Sequence, residues 1–210
     1  MHPASTLFFD VCAQRDFWLG GAWPLVSAEE ARNVAHLFAL AAALHIRQGG
    51  IVCLHASAAD APATVPPHCL AGSPGAARAS ACVPPLPLAI CPAATEDAPL
   101  PLDRAHAFYV SSGCMAAPDA SPQQRRVFDH LTAGVRDGVV FGAGIEYAMD
   151  RAIDGLLRRR VRAHVVLDAA GAADPSEAQR VIAAWKRRAV DGATTATVLH
   201  LLTRASRQQV

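Results

Sequence analysis

The pair Cys53-x-His55 closes an apolar run, Ile51-Val52-Cys53-Leu54-His55, that reads as a buried strand. Residues two apart on a strand face the same way, so this thiol and this imidazole can converge. Together they are donors of the zinc-binding class. Other chemistry-bearing types are sparse or scattered. Lys186 is the only lysine. Of the histidines, His2, His36, His45, His106, His130, His164 and His200 have no common spacing and need only structural roles. The six cysteines, Cys12, Cys53, Cys69, Cys82, Cys91 and Cys114, lack the spacing of a small disulfide-bonded domain, and with no export signal they are expected as reduced thiols in a cytoplasmic protein. Arg158-Arg159-Arg160 sits where a helix should end, and cations there suit the helix dipole.

The elements that must position these groups alternate along the chain. Thr6–Val11 reads as a strand, followed by the turn Leu19-Gly20-Gly21-Ala22. Ser27 and Glu30 form a capping box for a helix carrying Val34, Leu37, Phe38, Ala41 and Leu44, expected to end at Gly49-Gly50. Further strands are expected at Leu86–Ile90, Ala105–Val110, Gly138–Gly142, Ala163–Asp168 and Thr195–Leu202. Helices are expected over Pro122–Val135 and Ile145–Arg159. A third starts at Asp174-Pro175, with Asp as cap and Pro in the first turn. Strands that are apolar throughout and alternate with helices predict an α/β fold: a doubly wound sheet of about six parallel strands with helices on both faces. In such a sheet ligands bind at the carboxyl edge of the strands. Residues 56–104, rich in Pro and Ala, read as an elaborated loop over that edge within a single domain spanning residues 1–210.

Composition limits the function. At 210 residues, 52% hydrophobic and 18% charged, the chain suits a globular protein with a full core. A net charge of +1 gives no case for nucleic acid or an anionic membrane surface. The longest apolar run, Ala35–Ile46, is interrupted by His36 and His45 and is too short to span a bilayer.

Four ordered segments carry a family resemblance. They are Asp10-Val11-Cys12-Ala13-Gln14-Arg15-Asp16-Phe17 with Gly20-Gly21-Ala22, then Pro66-Pro67-His68-Cys69-Leu70-Ala71-Gly72-Ser73-Pro74-Gly75-Ala76, then Gly142-Ala143-Gly144-Ile145-Glu146-Tyr147-Ala148, and lastly Val165-Val166-Leu167-Asp168-Ala169-Ala170. In this order they resemble the isochorismatase-like, nicotinamidase-type cysteine hydrolases. The resemblance covers roughly residues 5 to 200, and the His68-Cys69 loop is its most specific part.

The resemblance implies hydrolysis of small amides or vinyl ethers, with a Cys nucleophile, an Asp base and a Lys in the amidases. The nucleophile position falls on Ala148, whose methyl cannot attack a carbonyl. The Asp position falls on Cys12. Asp10 lies two residues earlier, about 6 to 7 Å away along a strand, and reaches that role only through a bulge. No lysine lies between the His68 loop and the Gly142 strand; Arg104 and His106 are the cations nearby in sequence. The expectation is a fold without the amidase mechanism, with Cys12 a small apolar filler rather than a relocated nucleophile.

Pocket positions implied by the resemblance are Phe17, Gly144, Ile145 and Tyr147, with Trp18 and Trp23 close by as stacking or core residues. The expectation for cofactors is none. The alternative is Zn²⁺ or Fe²⁺ held by Cys53, His55 and the loop histidine His68, where the family has an Asp-x-His pair and a histidine, with Asp60 a further ligand. Expected partners are a small planar metabolite or a partner protein, and a homo-oligomer such as a dimer or tetramer. The other reading is an active hydrolase using a metal-activated water.

Overall fold

The computed structural model describes residues 1–61, 63–84, 87–91, 100–101, 104–112 and 117–208. Seven parallel strands form one open sheet: β1 (Thr6–Val11), β2 (Arg47–Cys53), β3 (Leu88–Cys91), β4 (Ala107–Ser112), β5 (Asp137–Ala143), β6 (Arg162–Gly171) and β7 (Asp191–Ala193). Their order is β3-β4-β2-β1-β5-β6-β7. Among the described residues, five α-helices flank it: α1 (Ala28–Ala43), α2 (Pro122–Thr132), α3 (Asp150–Arg158), α4 (Pro175–Arg187) and α5 (Thr195–Arg207).

Alternation along β1 builds two cores. Phe8 packs with Val34, Leu37 and Phe38 of α1 and with Val198 and Leu202 of α5. Leu7, Phe9 and Val11 join Val127 and Phe128 of α2, Ile153 and Leu156 of α3, and Trp185 of α4. The sheet is therefore covered on both faces, which is why its strands carry few polar residues. β1 and β5 are neighbours, and the chain leaves them in opposite directions across the sheet. The crevice between their carboxyl ends is the switch point where such folds bind ligands.

Two expectations need correction. Thr195–Leu202 is part of α5, not a strand. Thr194 caps it by accepting from the Thr197 amide, and Val198 and Leu202, four residues apart, both face the core. The last strand is the short β7 just before it. Gly49-Gly50 does not end α1 but lies inside β2. His45 adopts φ 50 after the helix, the left-handed place usually given to glycine. A Cβ on Gly50 would meet the Asp10 carbonyl at 1.9 Å, so the close approach of β2 to β1 requires glycine there. The strand expected at Leu86–Ile90 is β3, with Leu86 itself outside the described residues, as is Cys114.

The loop between β2 and β3 is anchored beneath the sheet. Arg78 leaves it and reaches the Asp10 carboxylate at 3.0 Å, with side-chain exposures of 5% and 1%. The Tyr109 hydroxyl of β4 donates to the same oxygen, and the Arg78 guanidinium lies 4.1 Å from the Tyr109 ring centroid. Arg78 also donates to the Cys82 carbonyl, at 3.0 Å from Nε and 2.6 Å from Nη2. Burial pushes the Asp10 carboxyl pKa up, while the guanidinium and hydroxyl pull it back. Removing one member of a buried pair strands the other charge. Arg78→Ala is therefore expected to cost about 3–5 kcal/mol in urea unfolding. Arg180→Ala, which breaks an exposed pair with Glu177, should cost under about 1 kcal/mol.

Candidate functional site

β1 ends at Val11, and Cys12 follows at φ 54. That left-handed residue reverses the strand's alternation. Cys12 packs in the cluster of Val11, Phe17 and Ala148, while Asp10 points the other way, to Arg78 and Tyr109. The bulge that would bring Asp10 into the crevice is absent, because Asp10 is committed to a buried pair on the opposite face.

β5 reaches the same crevice. Gly142 has φ +121, and a Cβ there would stand 2.1 Å from the Val11 carbonyl, so only glycine lets β5 lie this close to β1. The chain then turns at Gly144, φ 80, into a single wide helical turn over Ile145–Met149. Tyr147 within it has φ −122 and ψ −109, outside helical values. Glu146 secures the turn by accepting from the amides of Ala173 and Asp174, both at 2.7 Å. Ala148 is buried at the end of this turn and lines one small space with Cys12, Phe17, Trp23, Leu25, Ala143, Gly144 and Tyr147. That space is about 10 Å³, room for about one water.

The second cluster lies at the end of β2. The Cys53 Sγ is 3.2 Å from His55 Nε2 and 3.7 Å from His68 Nε2. All three ligand atoms lie within 4.8 Å of one another, and all three residues are buried. His68 arrives because residues 66–76 fold back onto β2. The His55 amide donates to the Cys69 carbonyl at 3.0 Å, and the Ala71 amide donates to the His55 carbonyl at 2.8 Å. Asp16 accepts from the Cys69 amide at 2.6 Å. Fully buried Gln14 donates to the carbonyls of Cys53 and Ala76 and accepts from the Cys53 amide.

These donors fit a metal. A tetrahedral Zn²⁺ with bonds of about 2.3 Å to sulfur and about 2.0–2.1 Å to nitrogen separates S from N by about 3.6 Å, close to the 3.2 and 3.7 Å seen. His68 Nδ1 is 2.7 Å from the Pro66 carbonyl. Donating there leaves Nε2 as the lone pair aimed at Cys53, the orientation metal-binding histidines are given by a backbone partner. Burial first, and then the His68 imidazole, hold the His55 pKa below its ordinary value and favour the neutral, ligating form.

Other sequence-derived candidates fall elsewhere. The Asp60 carboxylate bonds the Ser57 amide and hydroxyl and is not among the three convergent groups. Arg104 and His106 are exposed. His106 shares a surface hollow with Pro3, His45 and Arg47, at the amino end of β2 and β4, so neither supplies a cation to the crevice. Phe17 is buried beside His68, ring centroids 5.2 Å apart. Sequence reasoning did not find Arg78 or Tyr109, which lie 68 and 99 residues from Asp10 and share no motif with it. An arginine within the Pro/Ala-rich stretch was the available signal.

No family sequence model matches the chain, and no curated protein sequence matches it. Solved structures do. An isochorismatase family protein from Desulfovibrio vulgaris superposes with a TM-score of 0.68 at 18% identity, covering 94% of this chain and 97% of that one. The pyrazinamidase of Pyrococcus horikoshii, solved in complex with zinc, gives 0.63 at 18% identity over 90% and 99%. An octameric hydrolase of unknown specificity from Escherichia coli gives 0.67 at 12% identity over 99% and 84%. The chain has the isochorismatase-like fold shared by these hydrolases.

Proposed function

We propose that this chain is an isochorismatase-fold protein that does not run the thiol amidase reaction, and that the site it retains is a buried metal centre. One observation carries the reading. Cys53, His55 and His68 converge at metal-ligand spacing, while Ala148 and Cys12 stand where a nucleophile and its base would be needed. A thiolate with two neutral imidazoles suits Zn²⁺. A zinc bound there supplies a Lewis acid at the carboxyl edge of the sheet. The protein's own residues set its surroundings: Pro66 orients His68, Gln14 holds β2 against the loop, and burial favours the neutral form of His55. The zinc-bound neighbour supports the reading.

The chemistry of the other half supports it too. A thiol at neutral pH needs an adjacent base and a cation to become the nucleophile. The crevice offers a methyl at Ala148 and a second thiol at Cys12, and the single lysine is exposed on α4. A planar metabolite, the ligand the sequence suggests, finds about 10 Å³ there. It enters only if a neighbouring side chain moves. We further propose a homo-oligomer, supported by the octameric neighbour. A reducing, cytoplasmic setting is supported by five buried cysteines among the described residues that form no disulfide. Among those residues no helix is long and apolar enough to cross a membrane.

Two outcomes test the reading. Protein purified without chelator should carry close to one zinc per chain by inductively coupled plasma mass spectrometry. Cys53→Ala and His68→Ala should each lower zinc affinity at least about tenfold, the scale on which metal-site contacts act. Metal-free native protein that takes up no zinc and gains no thermal stability from it would remove the proposal. Ammonia release from nicotinamide should stay at the uncatalysed rate both for the native protein and for Ala148→Cys, because the restored thiol would face Cys12 rather than a carboxylate. Turnover in either would show that the amidase mechanism survives.

A further inference from the structure

The small space at the crevice has an unusual wall. Trp23 is half-buried, and its indole lies among three other rings. Its centroid is 4.8 Å from His68, 5.8 Å from Tyr147 and 5.9 Å from Phe17. The ring therefore lies between the Cys53-His55-His68 cluster and the turn that carries Tyr147 and Ala148. A planar aromatic already sits where the surrounding rings would stack on a planar ligand.

The segment that carries Trp23 is a closed loop. The Phe17 carbonyl accepts from the amides of Leu25 and Val26, both at 2.9 Å, and Trp18 pairs with Val26. These bonds bring the loop's ends together, leaving residues 18–26 as a compact excursion of the Ω type. Gly20 at φ +87 has nothing within 4 Å of where a Cβ would be, and Leu19 beside it is 79% exposed. The loop's tip is thus open to solvent while Trp23 faces inward. Among the described residues, Trp23 and Leu25 line the space from this excursion, and Trp23 is the aromatic one.

We propose that Trp23 is the internal occupant of a planar-ring pocket and that residues 18–26 are the lid that carries it in and out. With the lid down, the indole fills the slot between Phe17, His68 and Tyr147, and only the 10 Å³ remnant is left. With the lid up, the slot takes a neutral planar aromatic ring in place of the indole. A ligand of that class competes with the chain's own side chain, so its apparent affinity is reduced by the fraction of time the lid is closed. The inference rests on ring geometry and loop closure, and it holds whether or not the neighbouring cluster binds metal.

Indole itself is the probe, and metal-free protein is used so that this test and the zinc test can fail separately. Trp23→Gly should fold and bind indole at least tenfold more tightly than the native protein by titration calorimetry, with a rise in melting temperature that tracks indole concentration. Removing this half-buried ring leaves an apolar recess of the kind that accepts a small aromatic. In the native protein the amides of Leu25 and Val26 should exchange with solvent at least tenfold faster than those of β1, reporting lid opening. A folded Trp23→Gly protein that ignores millimolar indole would overturn the proposal. So would native Leu25 and Val26 amides as protected as those of β1. Failure of both Trp23→Gly and the milder Trp23→Leu to fold would also overturn it, because it would make the Trp23 ring a required part of the core rather than a removable occupant.

Discussion

The side chain of Gln14 lies wholly inside the protein and uses its oxygen and its nitrogen on backbone groups of other segments. It bonds both the carbonyl and the amide of Cys53 and the carbonyl of Ala76. Three pieces of chain meet there: the exit of β1, the end of β2 and the loop that supplies His68. An apolar replacement would remove these three hydrogen bonds, each worth about 0.5–1.5 kcal/mol. The convergence of Cys53, His55 and His68 depends on this one carboxamide, because His68 belongs to a loop with little regular structure of its own.

A second anchor works from beneath. Arg78 draws the far end of the same loop under the sheet to Asp10 and Tyr109, while Asp16 holds its middle through the Cys69 amide. The loop is thus pinned on both sides of the sheet's carboxyl edge. This is how a Pro/Ala-rich segment with few internal hydrogen bonds can present a histidine to within hydrogen-bonding range of a strand. A buried ion pair contributes uncertain net stability after desolvation. Its clearer effect here is on position, since Arg78 can satisfy its charge only where Asp10 is.

The crevice is built on a glycine-dependent backbone frame. Gly142 and Gly144 set the path that brings β5 against β1 and turns it sharply, and Tyr147 takes a non-helical conformation. On that frame stand a methyl and a thiol, and Trp23 is among the side chains around the space of about 10 Å³ beside them. In the proposed reading, the chemistry that remains has moved a few ångströms, to the end of β2.

The sequence by itself determined the local events and the identities. Ser27 with Glu30 and Asp174 with Pro175 mark helix starts because capping is settled within four residues. Apolar runs mark the strands, and the presence of Ala148 and of a single lysine is a plain matter of composition. It misplaced the last strand because β-branched Thr195, Thr197 and Val198 have strand character locally, and only packing on the sheet makes them helical. The tertiary structure decided what depends on distant partners. The left-handed turn at Cys12 put that thiol, and not Asp10, in the crevice. Arg78 and Tyr109 found Asp10 across 68 and 99 residues. His68 met Cys53 and His55, and Trp23 came to rest on His68, because loop closure is governed by buried hydrogen bonds and ring packing that no local pattern records.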